Sequence, residues 1–171
     1  MDKQSIRLQV LQQRQCMDHQ QRVHYSHTIS QTVIRILTDI PLSRIHCYRA
    51  IEAKNEPETK DIIDYVVQKS KVKIDTFVQL DNWKNIRIPE GNVSSSLKYD
   101  VIIVPTLGFD TQCNRIGYGG GFYDRFLAEQ SQALKIGLCF EYGKVATIRT
   151  EPHDIPLDII ITERKIYKRK R

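Results

Sequence analysis

Cysteine pairs, zinc-ligand motifs and long apolar runs are all missing from this sequence. The cysteines at positions 16, 47, 113 and 139 are far apart, without a Cys-x-x-Cys pair or histidines at zinc-ligand spacing. No apolar run approaches the roughly 20 residues that cross a bilayer, and the N-terminus is polar and glutamine-rich. We therefore expect a soluble protein with free thiols in a reducing cytoplasm, without a membrane partner.

Glycine is also scarce, yet half of it is concentrated in one place. Four of the eight glycines lie in Arg115-Ile-Gly-Tyr-Gly-Gly-Gly-Phe-Tyr-Asp124, bounded by residues of opposite charge. Glycine lets the backbone adopt positive φ and approach a ligand without side-chain obstruction. Such a loop, opening onto a helix N-terminus, is typical of a phosphate site. A glycine-rich turn that only packs against a sheet is the alternative.

The rest of the composition is that of an ordinary globular domain. Of the 171 residues, 40% are hydrophobic and 27% are charged, which predicts a single domain over 1–171. The formal net charge of +6 favours anionic partners such as nucleotide phosphates, a polyglutamate or a nucleic acid. Part of that charge lies in a short basic tail, about 165–171, which we interpret as a solvated end.

Helices and apolar strands alternate along the chain. Helical spacing and the absence of proline before Pro41 predict two helices, separated near Asp18, a plausible N-cap. Pro57 is expected in the first turn of a third helix ending near Ser70, and a fourth is expected at about 121–130. The predicted strands are 44–48, 72–74, 77–80, 101–104, 134–140 and 157–161, with mainly loop from 81 to 96. This order indicates an α/β domain with a mostly parallel central sheet.

Charged residues around the glycine loop suit a metal-bound phosphate. The loop is neither a Walker A motif nor a dinucleotide fingerprint, because no Gly-Lys-Ser/Thr follows and Phe122 replaces the third glycine. Arg115 can bind phosphate oxygens bidentately, and Asp124 is either a magnesium ligand or an acid favoured in the first turn of a helix. Asp154 is a candidate second ligand, whereas His153 and Asp158 are interpreted as turn and strand-edge polarity.

A basic stripe precedes these motifs. On a helix Lys3, Arg7 and Arg14 fall within about 40° of one another. Such a stripe either faces solvent or contacts an anionic ligand.

These residues together resemble a known family. The stretch Val104-Pro-Thr-Leu-Gly-Phe-Asp110 and the glycine loop, extended to 114–127, resemble the signature of 5-formyltetrahydrofolate cyclo-ligases. Three further pieces occur in the family's order: Lys3-Gln-Ser-Ile-Arg7, Asn55-Glu-Pro-Glu-Thr59 and His153-Asp-Ile-Pro-Leu-Asp158. The resemblance implies a three-layer α/β/α, NagB/RpiA-like cyclo-ligase fold. It also implies ATP- and Mg²⁺-dependent closure of 5-formyltetrahydrofolate, possibly polyglutamylated, to 5,10-methenyltetrahydrofolate by a cytoplasmic monomer.

The resemblance assigns roles residue by residue. Arg115, Tyr123 and Asp124 would be catalytic, and Asp124 and Asp154 would bind Mg²⁺. The residues implied to bind ATP are Lys3, Arg7, Arg115, Gly117, Tyr118, Gly119, Gly120, Gly121, Phe122 and Tyr123. Those implied to bind folate are Glu56, Ile51, Tyr118, Gly119, Gly120, Gly121 and Phe122.

Two features depart from many relatives. Some members of the family have lysine where this chain has Gly120, and many have a longer segment around 70–96 that helps enclose the folate. A nucleotide-binding member without folate turnover, or with another substrate, is therefore the main alternative. A nucleic-acid-binding protein is a second one, but aromatics are not interleaved with the basic residues in a single-strand-binding pattern.

Overall fold

A computed structural model describes residues 2–76 and 97–170. Its helices are α1 (Lys3–Gln15), α2 (His19–Thr38), α3 (Lys60–Val67) and α4 (Phe122–Ala128). Its strands are β1 (Arg44–Cys47), β2 (Lys73–Asp75), β3 (Val101–Pro105), β4 (Gly108–Phe109), β5 (Arg115–Ile116), β6 (Leu134–Leu138), β7 (Ile159–Ile161) and β8 (Ile166–Lys168). Short 3₁₀ helices span Glu52–Lys54 and Glu141–Gly143. The predicted strand at 77–80 and loop at 81–96 lie outside the described residues.

One six-stranded sheet organises the molecule, in the order β2-β1-β3-β6-β7-β8. All neighbours pair in parallel except β7 and β8. The strand β3 is buried along its whole length, as expected for a central strand covered on both faces. The predicted α/β fold with a mostly parallel sheet is confirmed.

Alternate side chains of β3 divide the core into two layers. Val101 and Ile103 pack with α2 and α3, whereas Ile102 and Val104 pack with the aromatic residues of α4 on the opposite face. This alternation follows from the two-residue period of a strand. Helix α1 buries Ile6 and Val10 in a third, smaller cluster beside the β4–β5 hairpin. The hairpin and α1 therefore frame the region that precedes the glycine loop.

Several sequence predictions are confirmed, and two need correction. The Asp18 carboxylate accepts a hydrogen bond from the backbone of Gln21 at 2.8 Å and caps α2 as expected. Pro57 is not in the first turn of α3, which begins only at Lys60. The basic tail is not wholly solvated, because β8 adds an antiparallel edge strand and buries Tyr167.

In the described part of the chain, no helix combines the length and apolar character that crossing a membrane demands.

Candidate active site

A cleft of about 450 Å³ opens where β3 ends. The start of α1, the glycine loop with the first residues of α4, and the loop around 151–154 form its walls. Its lining residues are Asp2, Lys3, Gln4, Arg7, Pro105, Arg115, Gly117, Tyr118, Gly119, Gly120, Gly121, Phe122, Tyr123, Asp124, Glu151, His153 and Asp154. The structure thus brings the predicted ATP-binding and metal-binding residues into one place.

The glycine loop wraps around the side chain of Arg7. The Arg7 Nε–H donates to the carbonyl of Gly117 at 2.8 Å. A Cβ on Gly119 would lie 3.6 Å from the Arg7 Cζ, at a φ of +103° that other residues rarely adopt. Gly121 also has a positive φ, but Gly117 and Gly120 do not, so only two of the four loop glycines need this conformation.

Two ion pairs cross the cleft. The Arg115 Nη2 lies 2.9 Å from Asp124 Oδ1, and the Lys3 Nζ lies 2.5 Å from Asp154 Oδ2. Burial lowers the pKa of Arg115, although the adjacent Asp124 opposes that shift. Partial burial favours a higher pKa for Asp154, but hydrogen bonds from Lys3 and the backbone of Glu151 bring it below its usual value. Asp154 is therefore ionised at neutral pH, beside two basic side chains suited to phosphate.

The two carboxylates fit a magnesium site that is completed by substrate. Within residues 2–76 and 97–170, no cluster of three or more His, Cys, Asp or Glu side chains is gathered as a metal site. Magnesium usually retains several waters and takes only one or two protein carboxylates together with substrate phosphates. The described contacts of Asp124 both fall on Oδ1, from Arg115 and the N–H of Ile155. Asp124 and Asp154 therefore suit Mg²⁺ only in the company of a phosphate ligand.

Tyr123 is fixed from behind by a buried histidine of β1. Its hydroxyl lies 3.1 Å from His46 Nε2, and the Arg115 guanidinium lies over its ring at 5.8 Å from the ring centre. Burial lowers the pKa of His46 to about 3 and raises that of Tyr123 well above its ordinary value. Both groups are consequently neutral near pH 7, and neither is poised as an acid or base. Their contact instead holds Tyr123 and the start of α4 against the sheet.

Glu56 lies behind Tyr118, outside the residues that line the cleft. Its side chain is buried, and its Oε1 accepts a hydrogen bond of 2.7 Å from the Tyr118 hydroxyl. Its Oε2 accepts from the backbone N–H of Ile51, also at 2.7 Å. The two predicted folate residues Glu56 and Ile51 are therefore in contact with each other, and Tyr118 connects them to the glycine loop.

Sequence reasoning missed the side chains that support this site from within the protein. Arg14 is only 2% exposed and donates to the Tyr118 hydroxyl at 3.0 Å, so the basic stripe of α1 does not face solvent. The available signal was its helical register with Lys3 and Arg7. His46 had no signal, because a lone histidine inside an apolar strand is not informative. The cleft also includes His153, which we had interpreted as turn polarity.

The sequence model for the 5-formyltetrahydrofolate cyclo-ligase family matches residues 78–163, half of the chain, including the glycine loop and both candidate metal carboxylates. The chain belongs to this family. The predicted resemblance is therefore confirmed.

Relatives extend the similarity beyond the matched half. A 5-formyltetrahydrofolate cyclo-ligase of Mycoplasma pneumoniae is 29% identical over 166 residues, which cover 95% of this chain and 99% of that protein. One of Saccharomyces cerevisiae is 27% identical and covers 93% and 94% of the two chains. The solved structure of a 5,10-methenyltetrahydrofolate synthetase from M. pneumoniae has a TM-score of 0.76 at 24% identity, over 95% of this chain and 99% of that one. This last likeness supports the cyclo-ligase fold.

Proposed function

We propose that this cyclo-ligase family member closes 5-formyltetrahydrofolate to 5,10-methenyltetrahydrofolate, with ATP converted to ADP and phosphate. The observation that carries the proposal is one cleft that joins the glycine loop, three basic side chains and two carboxylates. Tyr118 connects that cleft to Glu56 through a hydrogen bond. A site for a triphosphate therefore adjoins a site suited to the N–H groups of a pterin.

The proposed chemistry asks for alignment and charge neutralisation more than for a protein nucleophile. The formyl oxygen attacks the γ-phosphorus of ATP, and ADP leaves with the electrons of the broken P–O bond. N10 then attacks the activated carbon and loses its proton, and phosphate departs with the former formyl oxygen. Phosphoryl transfer of this kind depends mainly on position and on electrostatic stabilisation.

The chain's own residues supply these two requirements. Lys3, Arg7 and Arg115 are basic groups on the cleft wall, and arginine can bind phosphate oxygens bidentately. The positive φ of Gly119 and Gly121 shapes a loop that no Cβ obstructs, so backbone N–H groups can approach the phosphates. Asp124 and Asp154 would hold Mg²⁺, which when bound neutralises charge on the phosphate oxygens.

On the folate side, Glu56 supports the proposal through its remaining acceptor capacity. A carboxylate offers about four lone-pair positions, and the hydrogen bonds from Tyr118 and Ile51 use two of them. Adjacent pterin N–H donors can share the same two oxygens. We propose Glu56 and Ile51 as folate contacts on this basis, together with the loop from Tyr118 to Phe122.

The proposal is tested by following product absorbance and ADP release after the protein is mixed with 5-formyltetrahydrofolate, ATP and Mg²⁺. We expect both signals to rise in equal amounts and to require all three components. ATP binding by folded protein without folate-dependent ADP release would instead support a family member that has lost folate turnover or acts on another substrate.

A further inference from the structure

Helix α1 carries a third basic residue, Arg14, whose side chain points into the protein. Its Nη1 donates to the Tyr118 hydroxyl at 3.0 Å, and its Nη2 donates to the carbonyl of Thr106 at 3.1 Å. Burial alone would lower the pKa of Arg14, but the neighbouring Tyr118, Tyr142 and Cys139 raise it above its ordinary value. A charged guanidinium is therefore held beneath the glycine loop.

The chemistry of arginine fixes the direction of the hydrogen bonds that follow. A guanidinium can only donate, so the Tyr118 oxygen must accept from Arg14. Burial raises the pKa of Tyr118, so its phenol keeps its proton at neutral pH. That single proton is then directed to Glu56 Oε1, 2.7 Å away. The three residues form one polarised chain from Arg14 through Tyr118 to Glu56.

A second buried arginine near Glu56 is placed differently. Arg22 of α2 donates from Nε to the backbone carbonyl of Glu56 at 3.0 Å, and its Nη2 lies 3.1 Å from the Glu58 carboxylate. It holds the backbone of this segment and does not contact the Glu56 carboxylate in these bonds. The carboxylate receives its described hydrogen bonds from Tyr118 and Ile51.

We propose that Arg14 is a positioning residue for folate, acting through Tyr118 on Glu56. The proposal rests on the function given above. By holding the Tyr118 oxygen as an acceptor, Arg14 directs the tyrosine proton to one oxygen of Glu56. The other acceptor positions of the carboxylate are thereby presented in a fixed orientation to the substrate.

The placement of α1 predicts which substrate responds. Lys3 and Arg7 of the same helix line the cleft at its phosphate side, whereas Arg14 is absent from the lining and contacts Tyr118 from inside. Loss of Arg14 should therefore weaken folate binding selectively. A role limited to packing would lower stability and would not distinguish the two substrates.

The test measures the dissociation constants of 5-formyltetrahydrofolate and of a non-hydrolysable ATP analogue by titration calorimetry. Arg14→Gln should weaken folate binding on the order of tenfold, because it removes a charge-assisted hydrogen bond to Tyr118. Binding of the ATP analogue should stay within about twofold of wild type. Arg14→Lys keeps the charge and should restore part of the folate affinity.

Tyr118→Phe provides the decisive background. If Arg14 acts through the hydroxyl, Arg14→Gln should change folate affinity less than about twofold once that hydroxyl is removed. The matched control is Arg22→Gln, which also removes a buried arginine of this segment. Its effect on folate affinity should multiply with that of Tyr118→Phe. Thermal unfolding of each variant separates loss of folding from loss of binding.

The outcomes separate the two proposals. Wild-type protein that fails to bind folate overturns the proposed function, and the role of Arg14 with it. Wild-type protein that binds folate, with Arg14→Gln binding equally well or multiplying fully with Tyr118→Phe, overturns the role of Arg14 alone. If Arg14→Gln does not fold, the same cycle is completed with Arg14→Lys, whose effect must also disappear in the Tyr118→Phe background.

Discussion

Both candidate metal carboxylates face a cation from a different part of the chain. Arg115 pairs with Asp124, and Lys3, 12 residues before the end of α1, pairs with Asp154. The side chain of Arg115 is only 6% exposed, so its charge needs a partner when no phosphate is present. Asp124 therefore has two connected roles, to compensate Arg115 in the ligand-free protein and to hold a metal on the phosphate.

Asp124→Asn should separate these roles. Loss of the carboxylate charge should lower kcat/KM on the order of a hundredfold, because a charged group stabilising the transferring phosphoryl group is lost. It should also raise the Mg²⁺ concentration needed for half-maximal rate. The unpaired Arg115 should cost about 1 to 2 kcal/mol of unfolding free energy, since Asp124 is itself 20% exposed.

The control for this prediction is Glu151→Gln, which neutralises another acid of the same cleft. Its Mg²⁺ dependence should match that of wild type. An Asp124→Asn protein with near-normal kcat/KM and an unchanged Mg²⁺ requirement would remove Asp124 from the metal assignment.

At the scale of elements, the strand β1 and helix α4 meet through one polar contact inside an aromatic cluster. The ring of His46 packs edge-on against Tyr99 and Phe126, and its Nε2 meets the Tyr123 hydroxyl. Because the histidine is fully buried, this contact makes the packing of α4 dependent on the protonation of one side chain.

The pKa of about 3 for His46 gives a definite pH dependence of stability. In the unfolded chain a histidine titrates near 6.5, so between these values the unfolded state binds one more proton than the native state. The stabilisation from neutral His46 is therefore complete above about pH 6.5 and decreases as pH falls. Urea unfolding should show a loss of about 2 kcal/mol between pH 6.5 and 5 from this group.

The comparison that checks this prediction is His46→Gln. The variant should be less stable at pH 7, but its unfolding free energy should fall less steeply between pH 6.5 and 5 than that of wild type. Other titrating groups are common to both proteins, so their contributions cancel in the difference. Parallel curves for the two proteins would show that His46 does not resist protonation in the folded state.

The sequence predicted long, regular elements better than short ones. The strand β3 was found because four consecutive β-branched apolar residues allow few other structures. The start of α3 was misplaced because tertiary contacts compete with the preference of proline for a first turn. The carbonyl of Pro57 accepts from Tyr48, and Thr59 donates to the Tyr48 carbonyl, which together keep this segment extended ahead of the helix.

The missed strand β8 has a different cause. Only Tyr167 of its three residues is buried, and charged residues surround it, so periodicity had little to detect. Its hydroxyl contacts Glu141 at 2.5 Å, a pairing between residues 26 positions apart. In the site, the loop glycines and flanking charges were visible as a local motif. The chain from Arg14 to Glu56 was not, because it joins three distant segments.

At the scale of the whole molecule, the site depends on parts of the chain that are far apart in sequence. The cleft combines α1, the glycine loop and the loop at 151–154, while its support comes from a single sheet with core layers on both faces. A ligand that contacts all three segments should therefore stabilise the domain as one unit. This expectation also tests the prediction of a single domain.

Mg²⁺ with ATP should raise the thermal unfolding midpoint of the entire chain. At a concentration 100 times the Kd, a ligand that binds only the native state adds about 2.7 kcal/mol, or about 5 to 11 °C for a domain of this size. Far-ultraviolet and near-ultraviolet circular dichroism should shift together, because the sheet and the aromatic cluster on α4 share one core. Adenosine with Mg²⁺ lacks the phosphates and should shift the midpoint far less. Separate transitions for the two probes would contradict a single unit, and an equal shift with adenosine would mean that the glycine loop does not bind the triphosphate.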